Sequence, residues 1–400
     1  MVNLVIKIND KKDCMGCHAC SNICPQRCIS MENDSEGFLY PEVDCDKCIK
    51  CGLCVKACPV INKTMVDNDP IAYACINTNE KIRLDSSSGG IFTLIAEQII
   101  DEDGVVFGAS FDDNLELIHS YVDKKDELSK FRGSKYVQSK IGDTYYQAKV
   151  FLRQGRKVLF SGTPCQIAGL KLYLGQSYDN LFCVDIVCHG VPSPKAFKKY
   201  IDYIERKFGL KTRRIAFRRK NEGWKRYSIA FTFENGLEHL QTNDKDIYIK
   251  AFLKNVCLRP SCYACEFKSL HRQSDMTLAD FWGIQKVLPE MDDDKGTSLI
   301  FVNSDSGKLM LKNIGSKTIC KKVDINYAVK HNSAAVESVG FNSKREKFFN
   351  DLDCTPFNQL VNKYCSDSVG VRLNREVKLL IRKILQRTGL YKHIRRTKIE

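Results

Sequence analysis

The sequence lacks long apolar stretches. No segment of its 400 residues approaches the roughly 18 uninterrupted apolar residues that a membrane-spanning helix requires. Residues 1–13 also lack the apolar core of a secretory signal peptide. The sequence contains no low-complexity tract and, outside two cysteine runs, no internal repeat. These absences argue against an integral membrane protein and a secreted protein, and they predict a cytoplasmic location.

Cysteine, by contrast, is abundant, with 20 copies. In a secreted chain this number would indicate disulfides, whereas in a reducing cytoplasm it indicates free thiolates that bind clusters. The length predicts two or three domains, and the hydrophobic content of 43% can fill a core. Five cysteines outside any motif are interpreted as packing residues or surface thiols: Cys75, Cys183, Cys320, Cys354 and Cys365.

Two runs near the N-terminus share the spacing C-x-x-C-x-x-C-x-x-x-C-P, which is typical of bacterial two-cluster ferredoxins. In that arrangement the fourth cysteine of each run binds the cluster of the other run. The predicted ligand sets are Cys14, Cys17, Cys20 and Cys58 for the first [4Fe–4S] cluster, and Cys48, Cys51, Cys54 and Cys24 for the second. Disulfides and zinc ribbons are the alternatives, but neither explains the proline after the fourth cysteine. Cys28 and Cys45 lie just outside the runs and stay unassigned.

The pattern after the second run predicts a larger α/β domain. Residues 60–70 are typical of a linker, so residues 1–62 are predicted to form a ferredoxin-type domain. Short apolar runs then alternate with helical patterns, which predicts an α/β domain over residues 70–340, with parts 70–160 and 161–340. Within it, residues 227–240 predict a β-hairpin. Residues 341–400 are predicted to form a C-terminal helical tail, so the class is α/β, mixed α+β overall.

The net charge of +14 is concentrated at the C-terminus. In residues 372–400, basic residues outnumber acidic ones by eight. This segment also carries apolar residues at helical spacing, so it can form a basic amphipathic helix that lies on an acidic membrane or partner. A solvated terminal helix is the simpler alternative. No nucleic-acid partner is predicted, and peripheral contact with the inner membrane face is the functional interpretation of the tail.

Six motifs occur in order over roughly residues 70 to 340: Ser87-Ser88-Gly89-Gly90, Arg132-Gly133-Ser134-Lys135-Tyr136, Gly162-Thr163-Pro164-Cys165-Gln166, Cys188-His189-Gly190-Val191-Pro192-Ser193-Pro194, Arg259-Pro260-Ser261-Cys262-Tyr263-Ala264-Cys265 and Asp280-Phe281-Trp282-Gly283. Together they resemble the coenzyme F-420 hydrogenase/dehydrogenase beta-subunit family. The resemblance implies an iron–sulfur flavoprotein in which a flavin, usually FAD, takes electrons from clusters and exchanges hydride with an organic partner such as coenzyme F-420.

Several of these motifs suit a flavin site in a flavoprotein-like domain. The run Ser87, Ser88, Gly89 and Gly90 precedes a predicted helix, whose positive end favours a pyrophosphate, although such a run is also an ordinary cap and turn. Arg132 and Lys135 are candidates to neutralise phosphate, or else are surface charges. Gly162 and Thr163 lie between a predicted strand and helix, where α/β sheets usually bind ligands.

Four further cysteines from three distant segments are candidates for a third [4Fe–4S] cluster: Cys165, Cys188, Cys262 and Cys265. A zinc knuckle and unligated core cysteines are the alternatives, and Cys257 is a substitute for one of the four. His189 is the candidate catalytic residue, as a proton relay during hydride transfer, although a structural histidine is the simpler interpretation.

Three functions follow from these features. The first is a flavin-dependent oxidoreductase, in which ferredoxin or another redox protein loads the clusters and an organic small molecule is reduced. The second is a non-catalytic electron-transfer subunit of a larger complex. The third is a redox accessory of cell-surface polysaccharide synthesis, because this lysine- and asparagine-rich sequence resembles family members encoded among polysaccharide genes.

Overall fold

The computed structural model describes residues 4–366. The N-terminal module pairs two strands antiparallel and adds two short helices, each of which contains a cysteine of a different run. Its core consists largely of the cysteine side chains themselves, with Ile6 and Ile29. The elements are α1 (Ala19–Ile23), β1 (Ile29–Asn33), β2 (Leu39–Val43) and α2 (Leu53–Lys56). A module of this size has few apolar side chains to bury, so the cluster ligands lie at its centre.

An eight-stranded mixed sheet forms the centre of the larger domain, in the order β13-β3-β12-β11-β7-β6-β4-β5. Neighbouring strands from β11 to β4 are parallel, and the other pairs are antiparallel. The strands are β3 (Ile71–Asn77), β4 (Val105–Phe111), β5 (Leu117–Val122), β6 (Val158–Gly162), β7 (Leu181–Ile186), β11 (Met276–Asp280), β12 (Ser298–Val302) and β13 (Thr318–Val323). The carboxyl ends of β6 and β7 therefore lie side by side.

Helices cover this sheet, and their apolar faces form its cores. They are α3 (Glu80–Asp85), α4 (Ile91–Asp101), α5 (Thr144–Arg153), α6 (Pro164–Leu174), α9 (Ile284–Val287), α10 (Asp305–Asn313) and α11 (Ile325–Lys330). Within residues 4–366, no helix is long and apolar enough to cross a membrane.

A second, three-stranded antiparallel sheet packs against four helices in a separate aromatic-rich core. The strands are β8 (Thr212–Arg219), β9 (Ser228–Phe233) and β10 (Glu238–Thr242), and the helices are α7 (Pro194–Phe208), α8 (Ile247–Leu253), α12 (Arg345–Asp351) and α13 (Phe357–Cys365). The predicted hairpin is confirmed by β9 and β10. Because α12 and α13 share this core, the helical tail begins as part of the domain. The basic segment 372–400 lies outside the described residues, and the domain boundaries stay a prediction.

The α/β class with a ferredoxin-like N-terminal domain is confirmed. Helix α6 begins at Pro164, so Cys165 lies in its first turn. One local expectation was wrong. Cys75 and Cys320 were expected to be packing or surface thiols, but they lie directly opposite each other on β3 and β13 and form a disulfide.

Candidate functional site

Three small cavities, each about 20 to 30 Å³ in volume, collect the predicted cluster ligands. We call them the first, second and third cysteine cavities. The first is lined by Cys14, Cys17, Cys20 and Cys58. The second is lined by Cys48, Cys51, Cys54 and Cys24, together with Cys28. The third is lined by Cys165, Cys188, Cys262 and Cys265.

The third cysteine cavity lies where three segments of the larger domain meet. Cys165 lies in the first turn of α6, whose N-terminal partial positive charge favours a thiolate. Cys188 follows β7, and Cys262 lies in the 3₁₀ turn Pro260–Ala264. The Val191 amide lies 3.4 Å from Cys262 Sγ and donates to it. Such N–H donors to cluster sulfurs are a known means of tuning reduction potential.

Burial raises the pKa of the Cys165 and Cys188 thiols, since the charged thiolate is poorly solvated there. A bound cationic centre would reverse that preference. Among residues 4–366, no three His, Cys, Asp or Glu side chains are placed to hold a single metal ion. In a [4Fe–4S] cluster each cysteine binds its own iron, so the ligands stand further apart than around one ion. Cys257 lies in the aromatic-rich core and does not line the third cavity.

The first cysteine cavity, the third cysteine cavity and a large cavity are linked by shared lining residues. Met15 lines both the first and the third cysteine cavities. Helix α6 also approaches the first cavity closely, because a Cβ at Gly169 would lie 3.0 Å from Cys17 Sγ. Glycine at this position lets the helix and the cysteine loop touch. Cys188 and His189 line both the third cavity and a large cavity beside it.

Arg259 fixes the ferredoxin-type module to the larger domain. Its side chain is fully buried. Its Nε donates to Cys14 O at 2.8 Å and its Nη2 to Leu39 O at 3.0 Å, while Nη1 donates to Gln138 Oε1 at 3.0 Å. The 3₁₀ turn with Cys262 begins directly after Arg259. One guanidinium therefore sets the position of the first cysteine loop relative to the third cavity.

A second contact between module and domain is the ion pair of Glu36 with Arg345, whose Nη1 lies 2.8 Å from Glu36 Oε1. The Ser193 hydroxyl donates to Glu36 O. Both side chains of the ion pair are largely shielded from solvent. A shielded pair with good geometry holds its partners in one arrangement, because breaking it would leave a charge unpaired.

The large cavity, about 560 Å³ in volume, opens at the carboxyl ends of β6 and β7. Every predicted flavin-site residue lines it except Gly89. Gly89 is required for close packing instead, since a Cβ there would lie 2.4 Å from Cys75 O. Gly90 caps α4 with a φ of +81°, which glycine adopts without strain. The first turn of α4 lines the cavity.

The serines of the loop before α4, Ser87 and Ser88, form hydrogen bonds with other segments of the protein. Ser87 Oγ accepts from the backbone amide of Ser134, and the Ser88 hydroxyl donates to Thr297 O at 2.8 Å. The two loops that the sequence indicated as phosphate sites are thus joined to each other. Thr163 and Gln166 form a capping box at the start of α6, which orients the strand–helix turn that carries Gly162.

Arg132 contacts helix α4, whereas Lys135 contacts the carbonyls of its own loop. Arg132 Nε donates to Thr93 Oγ1 in α4 at 3.1 Å, so its guanidinium lies beside the first turn of that helix. Lys135 Nζ donates to the carbonyls of Phe131, Arg132 and Gly133. Burial lowers the pKa of Lys135 to about 7. In its protonated form all three protons are used by the loop, so Lys135 shapes the loop rather than offering a free donor.

Two buried residues of the large cavity were missed by sequence reasoning. His119 on β5 donates through Nε2 to Ser161 O at 3.1 Å, and its Nδ1 is buried without a partner. Arg218 on β8 pairs with Asp280 at 2.8 Å, and its Nε likewise has no partner. Buried polar atoms are normally hydrogen-bonded, so both point to a bound ligand. His119 gave no sequence signal, whereas Arg218 follows an alternating apolar pattern that predicts a strand.

The Asp280-Phe281-Trp282-Gly283 motif divides between core and cavity. Phe281 is fully buried. Trp282 lines the cavity and stacks on Trp224 with ring centroids 4.5 Å apart. Asp280 accepts from Arg218. The exposed Trp282 face offers a flat apolar surface to a planar ligand.

His189 is held by a structural contact. Its Nε2 lies 2.7 Å from Asn255 Oδ1, and its ring packs edge-on against Phe252. Burial lowers its pKa, so the neutral imidazole is favoured near pH 7. Because the amide oxygen of Asn255 can only accept, Nε2 carries the proton and Nδ1 is the acceptor of the ring.

His119→Gln is expected to flatten the pH dependence of stability below pH 6.5. Burial lowers the pKa of His119 from 6.5 to about 4. Stabilisation by such a group is complete above pH 6.5 and is lost as the pH falls toward 4, because only the unfolded chain binds the proton in this window. At about pH 5.5 this residue costs the wild type about 1.4 kcal/mol.

Anaerobic thermal unfolding at about pH 7.5 and about pH 5.5 measures this difference. The exposed His271 provides the matched control, His271→Gln. If the wild type and His119→Gln lost equal stability between these two pH values, the lowered pKa of His119 would be contradicted.

Comparison with known proteins bears on both parts of the chain. Residues 155–327 match the family model of coenzyme F420 hydrogenase/dehydrogenase that describes the C terminus of its beta subunit. Residues 13–62 match the model of the 4Fe-4S dicluster domain. The chain contains both domains. The predicted family resemblance is confirmed over these segments, and residues 13–62 are an iron–sulfur domain of the dicluster type.

The curated relatives match in part. An uncharacterized protein of Methanocaldococcus jannaschii is 26% identical over 215 residues, which are 45% of this chain and 58% of that protein. NADH-quinone oxidoreductase subunit I 2 of Geobacter metallireducens is 42% identical over 57 residues, 13% of this chain and 44% of that one. The matched parts thus span less than two thirds of these relatives.

Among solved structures, a chain of the F420-reducing NiFe hydrogenase complex from Methanosarcina barkeri has a TM-score of 0.44 and 15% sequence identity. The match covers 68% of this chain and 92% of that chain.

Proposed function

We propose that this protein is an iron–sulfur flavoprotein oxidoreductase, which carries electrons from a donor protein through three [4Fe–4S] clusters and a flavin to an organic substrate. The observation that carries the proposal is the continuity of the cavities. Met15 is common to the first and third cysteine cavities, and Cys188 is common to the third and the large cavity. The second cysteine cavity shares the module with the first, and its Cys51 is exposed. Electrons would enter the protein at the second cysteine cavity.

The size of the large cavity and the polar groups within its lining support a bound flavin. Its volume of about 560 Å³ falls within the range of about 300–1,000 Å³ for small-molecule sites. The start of α4 and the guanidinium of Arg132 suit a pyrophosphate, which favours FAD. His119 Nδ1 and Arg218 Nε are buried atoms that a ligand could satisfy. A flavin bound here would supply the conversion between single-electron and hydride transfer.

The protein residues around the cavity have distinct roles in this proposal. The joined loops of Ser87 and Ser134 shape the phosphate end. Trp282 offers a stacking surface for a planar ring. His189 holds its Nδ1 as an acceptor at the border between the third cysteine cavity and the large cavity, where a proton would accompany hydride transfer.

The second cysteine cavity and the large cavity, at the two ends of the proposed electron path, indicate two kinds of partner. The donor would be a ferredoxin or a redox subunit of a larger complex, and the acceptor a small organic molecule, with coenzyme F-420 as one candidate. The proposed membrane contact depends on segment 372–400, which lies outside the described residues, and the link to polysaccharide synthesis depends on the family resemblance. Both stay predictions.

Anaerobic purification followed by iron, acid-labile sulfide and flavin analysis tests the proposal. We expect about twelve irons and one FAD per chain. On addition of dithionite, the flavin absorbance should bleach, and coenzyme F-420 should be tried first as acceptor. About eight irons without flavin would instead leave a two-cluster electron carrier and refute the proposed oxidoreductase.

A further inference from the structure

The second cysteine cavity contains one thiol more than a cluster requires. Cys28 lines it together with the four predicted ligands. The Cys28 side chain is buried, and its Sγ lies 3.4 Å from Cys24 Sγ. The other cysteine near the runs, Cys45, is exposed and does not line the cavity. Cys28 is therefore set apart from the spare thiols of the chain by its position.

A tight turn brings Cys28 back to Cys24. Cys24 follows the last residue of α1, and the amide of Arg27 donates to Cys24 O at 3.2 Å. Arg27 adopts a φ of +48°, which reverses the chain. Cys28 O then accepts from the amide of Asp44 at 2.8 Å, which fixes the backbone of Cys28 beside the end of β2. Both ends of the turn are thus held by hydrogen bonds.

The first cysteine cavity provides an internal comparison. Cys58 is the counterpart of Cys24, because each is the fourth cysteine of its run and is followed by proline. Four residues after Cys58 the chain has Asn62, whose side chain donates to Val55 O. The first cavity is lined by four cysteines only. The extra thiol is thus specific to the second cavity and does not follow from the ferredoxin-type repeat.

We propose that Cys28 is a reserve ligand of the second cluster that can take the place of Cys24. This inference rests on the proposed clusters. In the exchange, the iron–sulfur bond to Cys24 breaks as the bond to Cys28 forms, and the Cys28 proton passes to the Cys24 sulfur. No electron is gained or lost, and no co-reactant is needed. The short distance between the two sulfurs lets iron keep a thiolate throughout.

A reserve ligand would be useful at the second cysteine cavity, because this cavity lies close to solvent. Cys51 is exposed there, and Leu4 and Ile49, which line the cavity, are more than half exposed. A cluster so close to solvent is open to chelators and oxidants. A second thiol within reach of the same iron would keep the cluster bound when one iron–sulfur bond opens.

The test uses the full chain, purified without oxygen, and compares Cys24→Ala with Cys58→Ala. Cys24→Ala should retain about twelve irons, because Cys28 replaces the missing ligand, whereas Cys58→Ala should retain about eight. The double variant Cys24→Ala/Cys28→Ala should also retain about eight, and Cys24→Ala/Cys45→Ala about twelve. Electron paramagnetic resonance after dithionite reduction identifies which cluster is lost.

A Cys24→Ala protein with the iron content of the double variant would overturn the proposal. If the wild type itself holds fewer than about eight irons, the proposed clusters fail, and the reserve role of Cys28 fails with them. An independent measurement avoids ligand loss altogether. Cys28→Ala should release iron to a chelator about tenfold faster than Cys45→Ala, the magnitude typical of removing a group that supports metal ligands. Equal release rates would also overturn the proposal.

Discussion

Cys165→Ala is expected to lower the iron content from about twelve to about eight per chain and to stop the reduction of the flavin by the remaining clusters. Cys165 lines the third cysteine cavity, which lies between the first cavity and the large one. Without this intermediate, an electron would have to cross the whole distance in one step. Iron analysis, together with stopped-flow absorbance after mixing with a reduced ferredoxin, measures both effects.

Cys257→Ala is the matched control. Cys257 is equally buried but lies in the aromatic-rich core, away from the third cavity. This variant should keep about twelve irons and rapid flavin reduction. The three-cluster proposal would be wrong if Cys165→Ala kept the wild-type iron content. Loss of four irons in the Cys257 variant alone would show that Cys257 is the ligand instead.

Arg259→Ala is expected to lower the free energy of unfolding by about 3 kcal/mol, the magnitude found when one partner of a buried charged hydrogen-bond set is removed. Its guanidinium donates to Cys14 O, Leu39 O and Gln138, and its loss leaves these acceptors buried. The first and third cavities would also lose their fixed spacing. Anaerobic denaturant unfolding and the flavin reduction rate should therefore change together.

Arg219→Ala provides the comparison for Arg259→Ala. Arg219 pairs with Glu238 at 2.9 Å, but both side chains are substantially exposed. Removing an exposed pair costs at most about 1 kcal/mol. Equal destabilisation by the two variants would contradict the role of Arg259. Arg259→Lys should recover part of the stability, because it restores the charge but not the three-directional donor geometry.

The cysteine spacing predicted which thiols of the two runs lie together, because ligand spacing acts over a few residues. Two-residue gaps bring sulfurs of one loop together, and the structure places each set from the two runs around one cavity. The position of Cys28 depends on the φ of Arg27 and on a hydrogen bond to Asp44, neither of which the spacing reveals. The position of Cys28 beside the four predicted ligands could therefore be learned only from the structure.

Local periodicity likewise predicted the alternation of strands with helices and the hairpin of β9 and β10, but not the order of the strands. The neighbours of β3 are β12 and β13, more than 200 residues away in sequence, so their pairing is decided by packing. His119 was missed for the same reason. It lies on β5, a strand whose polar residues concealed its alternation, and its importance depends on contact with Ser161 of β6.

The contacts of Arg259 and Arg345 with the ferredoxin-type module have a kinetic consequence. A separate ferredoxin must diffuse to its acceptor, and its rate varies with concentration and ionic strength. Here the module is part of the same chain and held by buried contacts, so electron transfer from it to the proposed third cluster would be a first-order process. Dilution and added salt should slow only the arrival of electrons from outside, at the exposed Cys51 end of the series.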